Sequence, residues 1–244
     1  MNFTVVIPAR YASTRLPGKA LIDIAGKPMI AHVVDRARES SAVRVIVATD
    51  HQGIHDALEG LDCEVCMTRS DHQSGSDRLA EVLSKLDFDD HEVVVNVQGD
   101  EPMIPGRLID QVAQRLHQSN AAVMSTAAKL IDDNADFENP NVVKVVFSHT
   151  GRALYFSRAP IPFVRDKRHA DAYHHIGIYA YRASFLKQYP HLSTSLVEQT
   201  ESLEQLRVLH NDYEIMVTTV DYDTGIGVDT KQDLDRVKAL MNKK

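Results

Sequence analysis

A chain of 244 residues with 43% apolar side chains can bury a full core in one domain, with room for a small subdomain. Its net charge of −7, from 27 Lys and Arg against 34 Asp and Glu, and its lack of a basic stripe argue against a nucleic-acid partner, although a small anion needs only a local positive patch. No segment reaches the roughly 20 apolar residues of a membrane span. Arg10 and Arg15 interrupt the first apolar stretch before it reaches the length of a secretory leader, so a cytoplasmic protein is expected.

That first stretch, Val5-Val6-Ile7, reads as a short buried strand, and a helix is predicted to start at Gly26-Lys27-Pro28. Between them Arg10, Arg15 and Lys19 stand in a loop with no acid before Asp23. A loop at the carboxyl end of a strand in an open α/β sheet is where ligands bind. The two arginines offer planar forks and Lys19 a point charge, which suits a polyphosphate; the competing reading is a solvated basic loop. The loop has neither the Gly-Lys-Ser/Thr of a Walker A sequence nor a GxGxxG, so side chains more than backbone amides would hold the phosphates.

From residue 3 to about 98 the pattern alternates: strands at 3–7, 44–49, 63–68 and 92–98, helices near 27–40, 51–59 and 75–86. In the first helix Met29, Ile30, Val33, Val34 and Ala37 form the apolar stripe. Such alternation predicts a parallel sheet with helices on both faces. Cys63 and Cys66, three apart in a strand, point to opposite faces and read as two buried thiols instead of a redox pair. In the segment 68–78, Arg69, Gln73, Ser74, Gly75 and Arg78 suit a pyrimidine edge, while Ser74 or Ser76 suits a helix N-cap equally well. The apolar strand Val93-Val94-Val95 then ends in Gln98-Gly99-Asp100-Glu101-Pro102. This puts Asp100 at the same carboxyl edge, either as a Mg²⁺ ligand or as a turn residue or cap.

After a helix near 105–118, strands at 122–130, 141–148 and 174–181 follow without full helices between them, which predicts a mixed or antiparallel lobe. A helix at 196–209 carries Leu196, Leu203, Leu206 and Leu209 on its stripe, with Glu198, Glu201 and Glu204 as a solvated acidic row. A strand at 213–220 leads to a loop in which Asp223 or Asp229 could complete a metal site, or Asp229 or Thr230 could cap the last helix, 231–242. Asp221-Tyr222-Asp223 also satisfies the Asp-x-Asp of sugar-nucleotide glycosyltransferases.

Five runs together resemble the 3-deoxy-manno-octulosonate (Kdo) cytidylyltransferases, also called CMP-Kdo synthetases. They are Ala9 to Lys19, Gln98 to Pro102, Tyr155-Phe156-Ser157-Arg158, His175-Ile176-Gly177-Ile178-Tyr179 and Leu203-Glu204-Gln205-Leu206-Arg207. Gly227-Val228-Asp229-Thr230 is a further match, and it selects Asp229 over Asp223 as the second metal ligand. Ala20 and Leu196 depart from prolines usual in the family. The resemblance implies a Rossmann-like, mostly parallel nucleotidyltransferase sheet with a smaller mixed or antiparallel lobe for sugar binding and dimerisation. Within the single domain, about 1–120 would be the nucleotide-binding half, about 121–195 the sugar and dimer lobe, and about 196–244 the return to the main sheet.

The same resemblance implies transfer of CMP from CTP to Kdo, releasing pyrophosphate, in a homodimer serving lipopolysaccharide synthesis. Arg10, Arg15, Lys19 and Asp100 would be catalytic; Arg10, Lys19, Arg69, Gln73, Ser74 and Gly75 would bind the nucleotide; Asp100 and Asp229 would hold Mg²⁺. Arg78, Gln98, Arg158, His175, Tyr179, Glu204 and Gln205 would meet substrate, with Arg158 facing the sugar carboxylate. The alternatives are 8-amino-Kdo or sialic acid as the acid sugar, a glycosyltransferase using Asp221-Tyr222-Asp223, and a nucleotide sensor without turnover.

Overall fold

The computed structural model describes residues 2–12, 16–72, 74–166 and 171–242. In chain order the elements are β1 (Thr4–Ala9), β2 (Asp23–Ile24), β3 (Lys27–Pro28), α1 (Met29–Arg38), β4 (Arg44–Thr49), α2 (Gln52–Asp56), β5 (Glu64–Met67), α3 (Gly75–Lys85), β6 (Val93–Asn96) and α4 (Gly106–His117). Then follow β7 (Met124–Leu130), α5 (Asn134–Glu138), β8 (Lys144–Phe147), β9 (Ala153–Ser157), β10 (Tyr173–Arg182), α6 (Ala183–Gln188), α7 (Leu196–Glu201), α8 (Gln205–His210), β11 (Ile215–Val220) and α9 (Lys231–Met241). The described residues form two compact units: one from 1–111, 182–190 and 223–244, the other from 112–181 and 191–222.

In the first unit β6, β1, β4 and β5 lie side by side in that order, every pair parallel, as the alternating pattern predicts. Val5, Val6 and Ile7 of β1 are fully buried, each worth about 1.5–3 kcal/mol of transfer out of water. The chain leaves β1 toward β4 and β5 and returns to β6 on the other flank of β1. That reversal makes the carboxyl ends of β1 and β6 the topological switch point, where an open parallel sheet leaves a crevice. The loop after β6 closes directly against β1: a Cβ on Gly99 would lie 2.8 Å from the Pro8 carbonyl oxygen, so no other residue fits there without displacing the strand.

The predicted first helix begins two residues late. Ala25 and Gly26 both adopt positive φ and turn Asp23–Ile24 back on Lys27–Pro28 as a hairpin, so α1 starts at Met29. Its predicted stripe is buried as expected. Cys66 is buried but Cys63, just before β5, is only half-buried, which corrects the expectation of two buried thiols; both are free and burial pushes both thiols up.

In the second unit β11 and β7 are parallel, β7 and β10 antiparallel, and β8 pairs antiparallel with β10 and β9. This is the mixed lobe expected from the strand-rich pattern. The helix predicted at 196–209 is in fact two, α7 and α8, because Ser202 adopts a left-handed conformation (φ 50°) that no continuous helix accommodates. Among the described residues no helix is long and apolar enough to cross a membrane.

Candidate active site

The loop after β1 carries Arg10, exposed, and then folds so that the Gly18 N–H donates to the Tyr11 carbonyl at 3.3 Å. The turn delivers Lys19 to the switch point. Its Nζ donates to Asp100 Oδ2 at 2.5 Å and to Asp229 Oδ1 at 3.4 Å, so one ammonium bridges carboxylates 81 and 210 residues away in sequence. Arg15 lies outside the described residues.

Two features bring the aspartates there. Asp100 follows β6 and the tight Gly99 contact. The loop 223–229 is docked on it: the Val228 N–H donates to the Asp100 carbonyl at 2.8 Å. At Gly225 (φ 87°) a Cβ would sit 2.5 Å from the Met103 carbonyl oxygen, so the approach requires glycine. Val228 is buried with Ile24, Met29, Leu234 and Val237, which anchors the loop between α1 and α9. The N-cap of α9 is Thr230, in a reciprocal capping box with Asp233, so Asp229 is left facing Lys19 and is not the cap. Asp223 serves its own turn, its Oδ1 accepting from the Gly225 N–H at 3.0 Å.

Glu101, inside the Gln98 to Pro102 run but with no local signal of its own, is a third acid here. Burial, and then the negative charges of Asp100 and Asp229, push its carboxyl up to about 8. Two carboxylates drawn around a single compact ammonium present hard oxygen donors of the kind that fit Mg²⁺.

The segment 68–78, expected to read a pyrimidine edge, is organised by α3. Ser74 is its N-cap, accepting from the Asp77 N–H at 3.1 Å, and Gly75 follows as the first helical residue. Arg69 is exposed and its Nε donates to Asp71 at 3.0 Å; Gln73 lies outside the described residues. The Arg69 N–H, the His72 ring and Lys85 all meet Glu81; burial pushes that carboxyl upward, but these hydrogen bonds outweigh it and hold it down to about 2. Arg78, expected against substrate, is only 3% exposed, with Nη1 on Thr68 Oγ1 at 2.5 Å and Nη2 on Asp50 Oδ2 at 3.0 Å. Gln98 is half-buried beside Asp100, its carbonyl accepting from the Glu101 N–H at 3.2 Å.

The expected sugar residues fall in the second unit. Arg158 follows β9, with Nε on the Glu201 carbonyl at 2.6 Å, Nη1 on that of Pro140 at 3.0 Å and Nη2 on that of Ser202 at 3.4 Å. The Glu201 carboxylate accepts from Ser157 Oγ at 2.6 Å and from the Arg158 N–H at 2.8 Å. Buried Lys144 adds a hydrogen bond to the Arg158 carbonyl at 2.7 Å. His175 is buried in β10, with Nε2 at 3.0 Å from Thr126 Oγ1 and its ring against Phe156 and Tyr179. Burial, and secondarily the neighbouring His174, push it down to about 3, so it is neutral. Tyr179 is half-buried and Glu204 exposed; Gln205 is 4% exposed and its Nε2 has no hydrogen-bond partner among the described residues.

The acidic row read as a solvated face is corrected here. Glu198 is buried and paired with Arg207, Nη2 to Oε1 at 2.6 Å, and Glu201 is the acceptor for Ser157 and Arg158. Both acids stand in α7, before the break at Ser202, and face Arg207 and the end of β9; only Glu204, beyond the break, is exposed as expected.

Residues 4–215 match the family model described as cytidylyltransferase. Over 99% of both chains the protein is 51% identical to the 3-deoxy-manno-octulosonate cytidylyltransferase of Histophilus somni strain 2336, and equally to that of strain 129Pt. A solved CMP:2-keto-3-deoxy-manno-octonic acid synthetase complexed with CTP superposes with a TM-score of 0.94 at 44% identity, covering 100% of this chain and 99% of that one. A cytidylyltransferase from Leptospira borgpetersenii, with a TM-score of 0.66 at 14% identity, shares the fold; the match covers 100% of this chain and 87% of that one.

Proposed function

The chain belongs to the cytidylyltransferases, with full-length kinship to those of 3-deoxy-manno-octulosonate, and from that premise we propose that it transfers CMP from CTP to the anomeric hydroxyl of Kdo, giving CMP-Kdo and pyrophosphate. The observation that carries the reading is the Lys19 ammonium set between Asp100 and Asp229 at the switch point of the parallel sheet. Arg10 and Lys19, with Arg15 as the sequence implies, bind the triphosphate and stabilise the departing pyrophosphate. Asp100 and Asp229 would hold Mg²⁺, which when bound neutralises charge developing on the phosphate oxygens. In the free protein Lys19 keeps the two carboxylates together.

In the second unit Arg158 orients the sugar through its carboxylate, with Glu204 and Gln205 toward the hydroxyls and His175 and Tyr179 lining the strand beside them. The buried Gln205 amide, without a hydrogen-bond partner among the described residues, supports this assignment, since such a group is satisfied by a ligand or water. Because the reaction is an in-line displacement, no covalent enzyme intermediate is required, and positioning and electrostatics carry the rate. Leu154, Phe163 and Leu196, each more than half exposed in this unit, support a homodimer formed through the lobe, in a cytoplasmic enzyme of lipopolysaccharide synthesis.

Pyrophosphate release tests the reading. CTP with Kdo and Mg²⁺ should give rapid release, sialic acid or no sugar little, and 8-amino-Kdo measures how closely the sugar is read; release independent of sugar, or transfer from a CMP-sugar without pyrophosphate, overturns it. Asp100→Asn should keep the fold and lower turnover by about 10²–10³-fold, the effect of losing roughly 3–4 kcal/mol at a transition-state contact. A near-normal rate would remove Asp100 from the centre.

A further inference from the structure

Arg78, expected against substrate, sits at the carboxyl edge of the first unit with its guanidinium buried between Thr68 and Asp50. Its side chain is 4% exposed and that of Asp50 10%. One Nη meets Thr68 Oγ1, which itself donates to the Thr49 carbonyl at 3.1 Å; the other meets Asp50 Oδ2. A lysine could not serve both partners, because only the guanidinium fork presents two donors in one plane. Asp50 follows β4 directly, Thr68 follows β5, and Arg78 stands in the first turn of α3, so the pair binds two strand ends to a helix.

The remaining oxygen of Asp50 leaves this cluster. Oδ1 accepts from the backbone N–H of Tyr11 at 3.3 Å, in the loop that follows β1. Tyr11 is held on its other sides as well: its carbonyl accepts from Gly18 N–H, and its ring stacks on His51 with centroids 3.9 Å apart and planes 10° from parallel. Tyr11 and Gly18 close the neck of the loop whose rim carries Arg10 and Lys19. A carboxylate only 10% exposed is therefore divided between the phosphate-facing loop and the helix that carries the base-facing segment.

We propose that Asp50 is a positioning residue for nucleotide binding, tying the Tyr11 N–H to the Arg78 guanidinium so that the phosphate-facing and base-facing segments are set as one piece. It touches no reacting atom. The proposal rests on the reading of the loop as a CTP site, and its test is arranged to separate the two.

In Asp50→Asn one oxygen must become an NH₂ that faces either Arg78 or the Tyr11 amide, donor against donor, and one tie is lost without a change of volume. Hydrogen exchange on the free protein should show the Tyr11 and Gly18 amides about tenfold faster, the amides of β1 being unchanged. Kinetics should show the KM for CTP raised about tenfold with the KM for Kdo within twofold, as expected when contacts are intact but misplaced. If the single variant does not fold, Asp50→Asn/Arg78→Met leaves no lone buried charge and is held to the same two results. Unchanged exchange at the loop, or a KM for Kdo that rises as much as that for CTP, overturns the proposal.

Arg78→Met supplies the independent check. It should speed loop exchange while raising the KM for CTP; a loss of CTP affinity with normal exchange would make Arg78 a direct ligand and overturn the strut. If the wild-type protein releases no pyrophosphate from CTP and Kdo, the functional reading falls, and the exchange comparison still decides what Asp50 does to the loop.

Discussion

His175 shows how burial decides a residue's chemistry. Its ring is buried with one nitrogen on Thr126 Oγ1, and its pKa is pushed from 6.5 to about 3, because a charged imidazole there would be cut off from water and would face His174. The unfolded chain therefore binds a proton between pH 6.5 and 3 that the folded chain does not. Stability that is fully present above pH 6.5 falls as the pH drops through this window. His175→Gln keeps an amide toward Thr126 and removes the titration. Between pH 7 and pH 5 the wild type should lose about 2 kcal/mol more than the variant in urea unfolding. Identical losses would show that His175 is accessible to protons in the folded state.

Short elements were the hardest to foresee. The break between α7 and α8 rests on Ser202 in the left-handed region, and a serine sends no such signal, since only glycine and asparagine mark that conformation in sequence. Ser202→Gly should raise stability by about 1 kcal/mol in denaturant titration, because glycine adopts φ 50° without a Cβ penalty and the Ser202 hydroxyl makes only a 3.5 Å contact. No gain would mean that the hydroxyl contributes more than its geometry suggests. The same limit hid α6, six residues long and below the length at which a helical period shows, and β9, whose Ala153–Ser157 run lacks a two-residue alternation. By contrast β1, β4, β6 and α1 were legible because long apolar runs or an unbroken stripe leave few alternatives. Lys19 and Asp100 were legible at one carboxyl edge from the strand pattern alone, whereas the choice of Asp229 over Asp223 came only from motif resemblance. The Asp50–Arg78 tie was not legible at all, since nothing local links a strand end to a helix 28 residues on.

At the scale of the molecule, the two compact units separate two sets of residues: the cation loop with Asp100 and Asp229 in one, proposed for CTP, and Arg158 with Glu201, Glu204 and Gln205 in the other, proposed for the sugar. Each set is tied internally by its own hydrogen bonds, so a fault in one should register on one substrate. Glu201 offers the sharpest probe. Its two oxygens accept from Ser157 Oγ and the Arg158 N–H, and its carbonyl accepts from Arg158 Nε. In Glu201→Leu both side-chain acceptors are lost and the Arg158 N–H loses its charged partner; the backbone contact survives, so Arg158 is displaced and not released. Losing even one charge-assisted hydrogen bond of about 1.5–3 kcal/mol should raise the KM for Kdo by about tenfold or more. CTP affinity, measured by titration without sugar, should stay within twofold. Equal damage to both would mean that the end of β9 supports the whole catalytic assembly, and the assignment of one substrate to each unit would fall with it.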